Sequence, residues 1–344
     1  MMTTPAVSII TPVFNGSAWL GETVRSVLAQ TFTSWEHIFI DDGSSDGSVR
    51  AIEEACDPQR TRIIRHERNL GIPAARNTGL KSATGRYVAL LDQDDLWVAS
   101  KLEKQMGILE KGFRFCFGKH AFFVKEGDSV RIFPAGYPVH QERIEDLDGK
   151  RLYSRLFRDN FIGAGSVIAE RSLLTEAAGF DESIRGGGDD YDLWLRLAGM
   201  TSFSMLRETV LFSRMHSANY TDTVRMTDDV LRILQTTAAG AGMDERSRSA
   251  RFGAIHYKRF RSYFAGKDYP AAAEALRMSA EYAGHGPRLA LASALVRMRG
   301  TGRGIFFGSR RLVESTRRMR GGPPAGIKIP AESFRRTLRG EEAV

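Results

Sequence analysis

Along the first hundred residues the apolar positions fall in short runs separated by longer amphipathic stretches. Val7 to Pro12 (VSIITP), Trp35 to Ile40 (WEHIFI), Thr61 to Arg65 (TRIIR) and Tyr87 to Leu91 (YVALL) are β-branched or aromatic runs, too short for helices and suited to buried strands. Between them apolar residues recur at helical spacing. Trp19, Leu20, Val24, Val27 and Leu28 mark one helix, a second begins near Val49 with Ser48 or Asp46 as its cap, and a third runs from Ile72 or Pro73 to Ser82. Proline is tolerated in that first turn because its missing N–H has no helical partner there. Strands alternating with helices predict a doubly wound, mostly parallel α/β sheet flanked by helices. Sheets of this kind bind ligands at the carboxyl ends of their strands. The polar loops 14–17, 41–47 and 92–95 all follow strands, so they share one face.

Beyond Trp97 the pattern loosens. Lys101 to Lys111 reads as a helix, and the alternation of Phe113, Phe115 and Phe117 reads as a strand with core-facing aromatics. Residues 136–149 form a polar loop of a length that suits an acceptor-shaping segment, and Phe161 to Ala169 is small and apolar. In GGGDDYDLWLRL, Gly186 to Leu197, three glycines allow a sharp turn and close approach of the backbone to a ligand. Asp189 and Asp190 then open a helix that turns Tyr191, Trp194, Leu195 and Leu197 inward, while Asp192, Leu193 and Arg196 complete the turn. From Thr227 the reading is helical: Asp228 to Ala239, Glu245 to Phe264 and Tyr269 to Ala283, the last two forming a hairpin. The division that results is an α/β domain over 1–222, a helical extension over 223–284 and a tail over 285–344.

Composition sharpens that division. With 42% hydrophobic and 26% charged residues among 344, the chain can bury a sizeable core, which excludes wholesale disorder. The net charge of +8 resides in the tail, where residues 285–344 sum to +9 and the remainder to −1. The tail is read either as an anchor on an anionic membrane surface, since each basic residue near such a surface contributes roughly 1 kcal/mol, or as a solvated basic extension. No aromatic and basic module accompanies the charge, so nucleic acid is not an expected partner. Cys56 and Cys116 have no metal-ligand spacing and suggest no disulfide framework. No signal peptide and no long apolar run is apparent, and the expected location is the cytoplasm, peripheral to the inner face of the membrane if the tail is an anchor.

The chemistry concentrates in YVALLDQDDLW. A strand that delivers Asp92, Asp94 and Asp95 to a ligand-binding edge, with no basic residue between them, calls for a cation. Mg²⁺ or Mn²⁺ is the natural choice, being held by one or two carboxylates plus the phosphates of a substrate. Neither GxGxxG nor GxxxxGK[ST] is present, which disfavours a dehydrogenase or a P-loop enzyme.

Four blocks in register, VSIITPVFNGSAWLGETVRSVLAQTF, WEHIFIDDGSSDGS, NLGIPAARNTGL and GRYVALLDQDDLW, resemble the N-terminal half of the family 2 glycosyltransferases, whose fold is called GT-A. The resemblance implies inverting transfer from a nucleotide diphosphate sugar, most often a UDP sugar, to a glycan or lipid-linked glycan in envelope or exopolysaccharide synthesis. It implies that Thr11, Pro12, Val13, Asn15 and Asp42 hold the base and ribose, with Arg76, Asn77 and Asp92 also at the nucleotide. Asp92 and Asp94 then match the DxD metal motif, and Asp95 is an alternative ligand. Asp41 is read as a plain turn residue.

Inverting transfer needs a base for the acceptor hydroxyl, and a carboxylate beside an apolar wall can have its pKa raised to that duty. Asp190 matches the family's catalytic Asp. Asp189 stands where the family usually has Glu, and is expected with Gly187, Gly188 and Trp194 at the acceptor or sugar pocket. An acid at a helix N-terminus also has a purely structural use, worth roughly 0.3 to 1 kcal/mol, and one of the two is expected to do only that. His216, in RMH, resembles the family's Arg-x-His segment that reaches metal or diphosphate, with Arg214 as a charge partner for the diphosphate; an ordinary structural histidine is the competing reading. Two rivals remain. One is a non-catalytic sugar-nucleotide or glycan binder. The other is a sugar nucleotidyltransferase, disfavoured because the first loop, Phe14 to Ala18, has no basic residue.

Overall fold

The four apolar runs become four parallel strands. In the computed structural model, which describes residues 4–134, 149–216, 223–238, 244–283 and 326–342, β1 (Val7–Val13), β2 (Trp35–Asp41), β3 (Thr61–Arg65) and β4 (Tyr87–Leu90) lie in the order β3-β2-β1-β4. Every residue of β1, β2 and β4 is buried, as expected of parallel strands covered on both faces. Register runs from Val7↔Trp35 to Val13↔Asp41, so β1 and β2 end level and deliver their loops to one edge. The intervening helices are α1 (Ser17–Leu28), α2 (Ser48–Ala55) and α3 (Ile72–Ser82).

Past β4 the sheet is mixed rather than parallel. After the short β5 (Leu96–Trp97) and α4 (Lys101–Leu109), β6 (Phe115–Glu126) and β7 (Ser129–Pro134) form an antiparallel hairpin. Helix α5 (Gly149–Arg158) and a 3-10 turn at Ala164–Ser166 follow. Strand β8 (Val167–Glu170) then fits antiparallel between β4 and β6. After α6 (Arg171–Glu176) and α7 (Asp189–Ala198), β9 (Ser204–Arg214) runs parallel to β6 and antiparallel to β5. The parallel pairing expected from the sequence holds through β3-β2-β1-β4 and returns between β6 and β9, with antiparallel pairs between them. The rest is turned by the β6–β7 hairpin, which needs no crossover helix.

The largest apolar cluster joins Val88 and Leu90 of β4, Phe115 and Phe117 of β6, and Tyr191, Leu193, Trp194, Leu195 and Leu197 of α7. Leu193, expected only to complete a turn, is fully buried. The same cluster takes in Leu231, Ile233 and Leu234 of α8 (Thr223–Ala238) and Phe252 and Ile255 of α9 (Glu245–Ala265). The helical extension thus shares the core of the α/β unit along α8 and half of α9. Only the tip, where α9 meets α10 (Tyr269–Ala283), has its own cluster of Phe260, Ala272, Ala275 and Leu276.

Residues 326–342 correct the expectation of a tail running to the C-terminus. Strand β10 (Ile327–Pro330) adds antiparallel to β7, and α11 (Ala331–Leu338) buries Phe334 against the sheet. The apolar residues of KIPAESF were legible, but nothing local said which strand edge they would meet. The 136–148 loop and the 285–325 segment lie outside the described residues. No helix among the described residues is long and apolar enough to cross a membrane.

Candidate active site

The loops after β1 and β2 are stitched together. Asn15 takes a positive φ of 49°, a conformation asparagine tolerates better than most residues. Its Oδ1 accepts from the Ser45 amide at 2.9 Å, while Ser44 Oγ accepts from the Asn15 amide at 3.0 Å. Asp46 serves two helices: Oδ2 accepts from Ser17 N at 3.1 Å and Oδ1 from Ser48 N at 2.9 Å. Asp41 is the turn residue expected of it, accepting from Ser44 N and pairing with Arg65. Asp42 Oδ1 accepts from Leu70 N at 2.9 Å and lies 2.7 Å from His66 Nδ1, and its Oδ2 accepts from Gly71 N at 2.8 Å. The carboxylate is held by the β3–α3 connection. Thr11 leaves the expected nucleotide set, because its hydroxyl is fully buried 2.9 Å from His37 Nε2. Burial holds that imidazole down, to a pKa of about 3. Pro12 is buried, and Val13 packs with Leu20 and Phe39 below the loop. Of this set Asn15 alone is exposed at the strand ends.

At the end of β4 the three acids separate by partner. Asp95 is buried, its Oδ2 accepting from Ser213 Oγ and its Oδ1 from Arg214 N, both at 3.0 Å. Each oxygen thus accepts one hydrogen bond from β9. Asp94 Oδ2 lies 2.8 Å from His216 Nε2, and the His216 ring stacks on Trp19 with centroids 4.0 Å apart and planes at 16°. Asp92, at 39% side-chain exposure, is the open member. Burial, then Asp92, pushes the Asp94 carboxyl upward against the pull of His216. Burial, then Asp94 and Asp92, pushes Asp95 well up. Burial is the first cause of both shifts and the neighbouring carboxylates add to it, a setting in which a bound cation would favour the ionised forms. Asp94 and His216 are a carboxylate and imidazole pair, donors suited to Mn²⁺. No group of three His, Cys, Asp or Glu converges among the described residues, so these donors fit an ion completed by substrate phosphates rather than a closed protein cage. Arg214 is spoken for: Nε donates to the Asp94 carbonyl at 2.9 Å and a terminal nitrogen pairs with Glu22 at 2.7 Å.

Arg76 joins this cluster to the second one. Buried on α3, it pairs with Asp92 at 2.8 Å and with Asp189 at 2.6 Å. Burial alone would lower its pKa, but Asp189, Asp92 and Asp190 raise it, so the guanidinium stays charged. Its buried Nε has no protein acceptor among the described residues. Asp189, expected at the acceptor pocket, is thus the ion-pair member of the two acids that open α7. Asp190 carries the larger perturbation. Burial, then the Asp189 charge, pushes its carboxyl up to about 7, with Arg76 and the Tyr191 amide opposing.

Gly187 and Gly188 have φ of 113° and 96°, which explains the glycines. A Cβ on Gly187 would face Met226 and one on Gly188 would face Val230, while one on Gly186 would strike the Arg225 backbone at 2.5 Å. The close approach they permit is to α8, not to a sugar. Asp229 of α8 fixes the turn by accepting from the amides of Arg185 at 3.1 Å and Gly186 at 2.6 Å. Trp194, expected in the sugar pocket, is fully buried with its ring edge-on to Phe115 at 5.0 Å. Asn77, expected near the nucleotide, instead brackets residue 180, accepting from Phe180 N and donating to Phe180 O, both at 2.9 Å. Sequence reasoning missed Trp19, Glu22, Gln93 and Asp229. Gln93, which accepts from Phe14 N at 2.9 Å and donates to Phe14 O at 3.1 Å, had a signal in its place within the acidic motif. The others carried none.

A sequence profile described as Glycosyl transferase family 2 matches residues 8–164. Over 192 residues, 56% of this chain, the sequence is 33% identical to the Escherichia coli UDP-Glc:alpha-D-GlcNAc-diphosphoundecaprenol beta-1,3-glucosyltransferase WfgD, covering 69% of that protein. In fold it is similar to S. aureus TarS 1–349 in complex with UDP-GlcNAc, with a TM-score of 0.59 at 17% identity, covering 85% of this chain and 86% of that one. It is also similar to the mannosyltransferase PcManGT from Pyrobaculum calidifontis in complex with GDP-Man and Mn²⁺, with a TM-score of 0.54 at 19% identity over 87% and 81% of the two chains.

Proposed function

The chain belongs to glycosyl transferase family 2, and from that premise we propose that it transfers a sugar, with inversion, from a nucleotide diphosphate sugar to a glycan or lipid-linked glycan. The observation that carries the reading is the arrangement on either side of Arg76: on one side the acids at the end of β4, with Asp94 against His216, and on the other a carboxyl raised to about 7. A UDP sugar is the first choice of donor, as in the name of WfgD and in the TarS complex, and a diphospholipid-linked sugar is the first choice of acceptor, as in the name of WfgD.

Asp190, unprotonated above pH 7, accepts the acceptor hydroxyl proton while that oxygen bonds to the anomeric carbon. The bond from that carbon to the diphosphate oxygen breaks on the opposite side, and its electron pair leaves with the nucleotide. One displacement inverts the centre. Arg76 fixes Asp189 by a buried ion pair, which leaves Asp190 as the carboxyl for the acceptor hydroxyl. Asp94 and His216 would hold Mn²⁺ or Mg²⁺, which when bound offsets the charge of the diphosphate. Asn15 and the stitched loops keep the donor side rigid.

Incubation with UDP-Glc, UDP-GlcNAc, UDP-Gal or GDP-Man and a GlcNAc-diphospholipid acceptor, with Mn²⁺ or with EDTA, tests this. Acceptor-dependent nucleotide release in Mn²⁺, abolished by EDTA, is expected for one donor. No release from any of them overturns the reading.

A further inference from the structure

We infer that β10 and α11 form a positioning strap for the Asp94–His216 end of the site, an inference whose kinetic consequences rest on the glycosyl-transfer reading. Strand β10 lies on β7 from Ile327↔Ile132 to Pro330↔Ser129. The approach at its start is so close that a Cβ on Gly326 would sit 2.7 Å from Phe133 and 2.8 Å from Arg131. The Ala331 amide then donates to the Asp128 carbonyl at 3.1 Å, turning the chain into α11. There Phe334, only 3% exposed, places its ring 5.1 Å from Phe123 and 5.0 Å from Phe212. The far end of the helix is tied by the Leu338 carbonyl, which accepts from Ala99 N at 2.8 Å.

Both aromatic partners lead to the acidic motif. The Arg214 guanidinium lies over the Phe123 ring at 4.7 Å. The same Arg214 holds the Asp94 carbonyl through Nε and the Asp95 carboxylate through its amide. Phe212 pairs with Leu96 of β5, the residue after Asp95. His216 follows Arg214 by two positions and meets Asp94 directly. The strap therefore packs behind the strands that carry one end of the site. The other end, α7, is packed by α5 and α8 and has no part in this contact path. Phe334 is on this account a positioning residue, acting through Phe123 and Phe212.

The test uses the full chain with Phe334→Ala, the conservative Phe334→Leu, and Gly326→Val, which blocks docking of β10, and with it the seating of α11, while changing no aromatic side chain. In metal-free protein the His216 ring protons, shifted by the stacked Trp19 ring, are read by NMR. In assays the Mn²⁺ concentration for half-maximal rate, the donor KM and the kcat–pH profile are read. Phe334→Ala and Gly326→Val should move the His216 signals and raise both half-saturation values about tenfold, in the range seen when groups behind a metal ligand are removed. The acid limb of kcat should stay in place, and Phe334→Leu should recover most of the loss. Gly326→Val carries the test if Phe334→Ala does not fold. Unmoved His216 signals with unchanged half-saturation overturn the strap even if the wild type transfers sugar, and so does an equal shift of the acid limb. His216 signals that move in a protein that releases no nucleotide from any donor support the strap and overturn the transfer reading instead.

Discussion

The two acid clusters use the same side chain to opposite ends. At the close of β4, Asp95 is held by β9 and Asp94 by His216, so both acids are fixed in place, and burial and their neighbours push the Asp95 carboxyl well up. At the start of α7, Arg76 takes Asp189 and leaves Asp190 with burial and a neighbouring negative charge, which lift it to about 7. Partners, not residue type, separate the two clusters, and on the proposed function one would seat a cation and the other would accept a proton. Arg76 touches both and makes the difference between them possible.

The largest expected effect breaks the second cluster. Asp190→Asn should lower kcat by about 10³, within the range of a lost general base, while nucleotide and Mn²⁺ binding stay close to wild type. Because the folded-state pKa of Asp190 is raised, its contribution to stability is complete below the unfolded value near 4 and is lost as pH rises through about 7. Asp190→Asn should therefore raise the Tm at pH 8 more than at pH 4, and a lower Tm at pH 8 would contradict the assigned environment. Arg76→Ala breaks both clusters at once. It leaves Asp189 buried without a partner, at a cost of about 3 to 5 kcal/mol by denaturant titration, and by removing a positive neighbour it should move the acid limb of kcat upward. Within the first cluster Asp94 and Asp95 separate. Asp95→Ala should cost about 1 to 3 kcal/mol of stability, because Ser213 and the Arg214 amide lose a buried acceptor. Asp94→Ala should mainly weaken Mn²⁺ activation, and the reverse assignment of effects would exchange their roles. The smallest change is expected for Trp19→Ala, which removes the stack under His216. An aromatic pair worth about 0.5 to 1.5 kcal/mol predicts a rise in Mn²⁺ half-saturation of roughly two- to tenfold.

The strands of the N-terminal half were legible because their burial is written locally, as apolar runs that end at β3-β2-β1-β4 carboxyl edges. The acids at 92–95 and 189–190 were legible for the same reason, with α7 starting at Asp189 as read. What the sequence did not disclose is who partners whom across long separations. Asp42, Asn77 and Thr11 carry suitable chemistry but find their hydrogen bonds within the protein, to the Gly71 amide, the Phe180 backbone and His37. Trp194 was read on the inward face of its helix and is fully buried there, whereas nothing local marked Trp19 as the residue that stacks on His216. The return of residues 326–342 to the β7 edge was hidden for a related reason, since a four-residue strand names no partner.

The central claim is that Asp190 is the base, and that its neighbour Asp189 and its burial set its pKa. The direct measurement is kcat against pH, from 5 to 9, for the wild type and for Asp189→Asn under saturating donor, acceptor and Mn²⁺. The account predicts an acid limb near pH 7 in the wild type and a limb at lower pH in the variant, because one negative charge beside Asp190 is gone. A flat wild-type profile, or a limb that Asp189→Asn leaves in place, would contradict it.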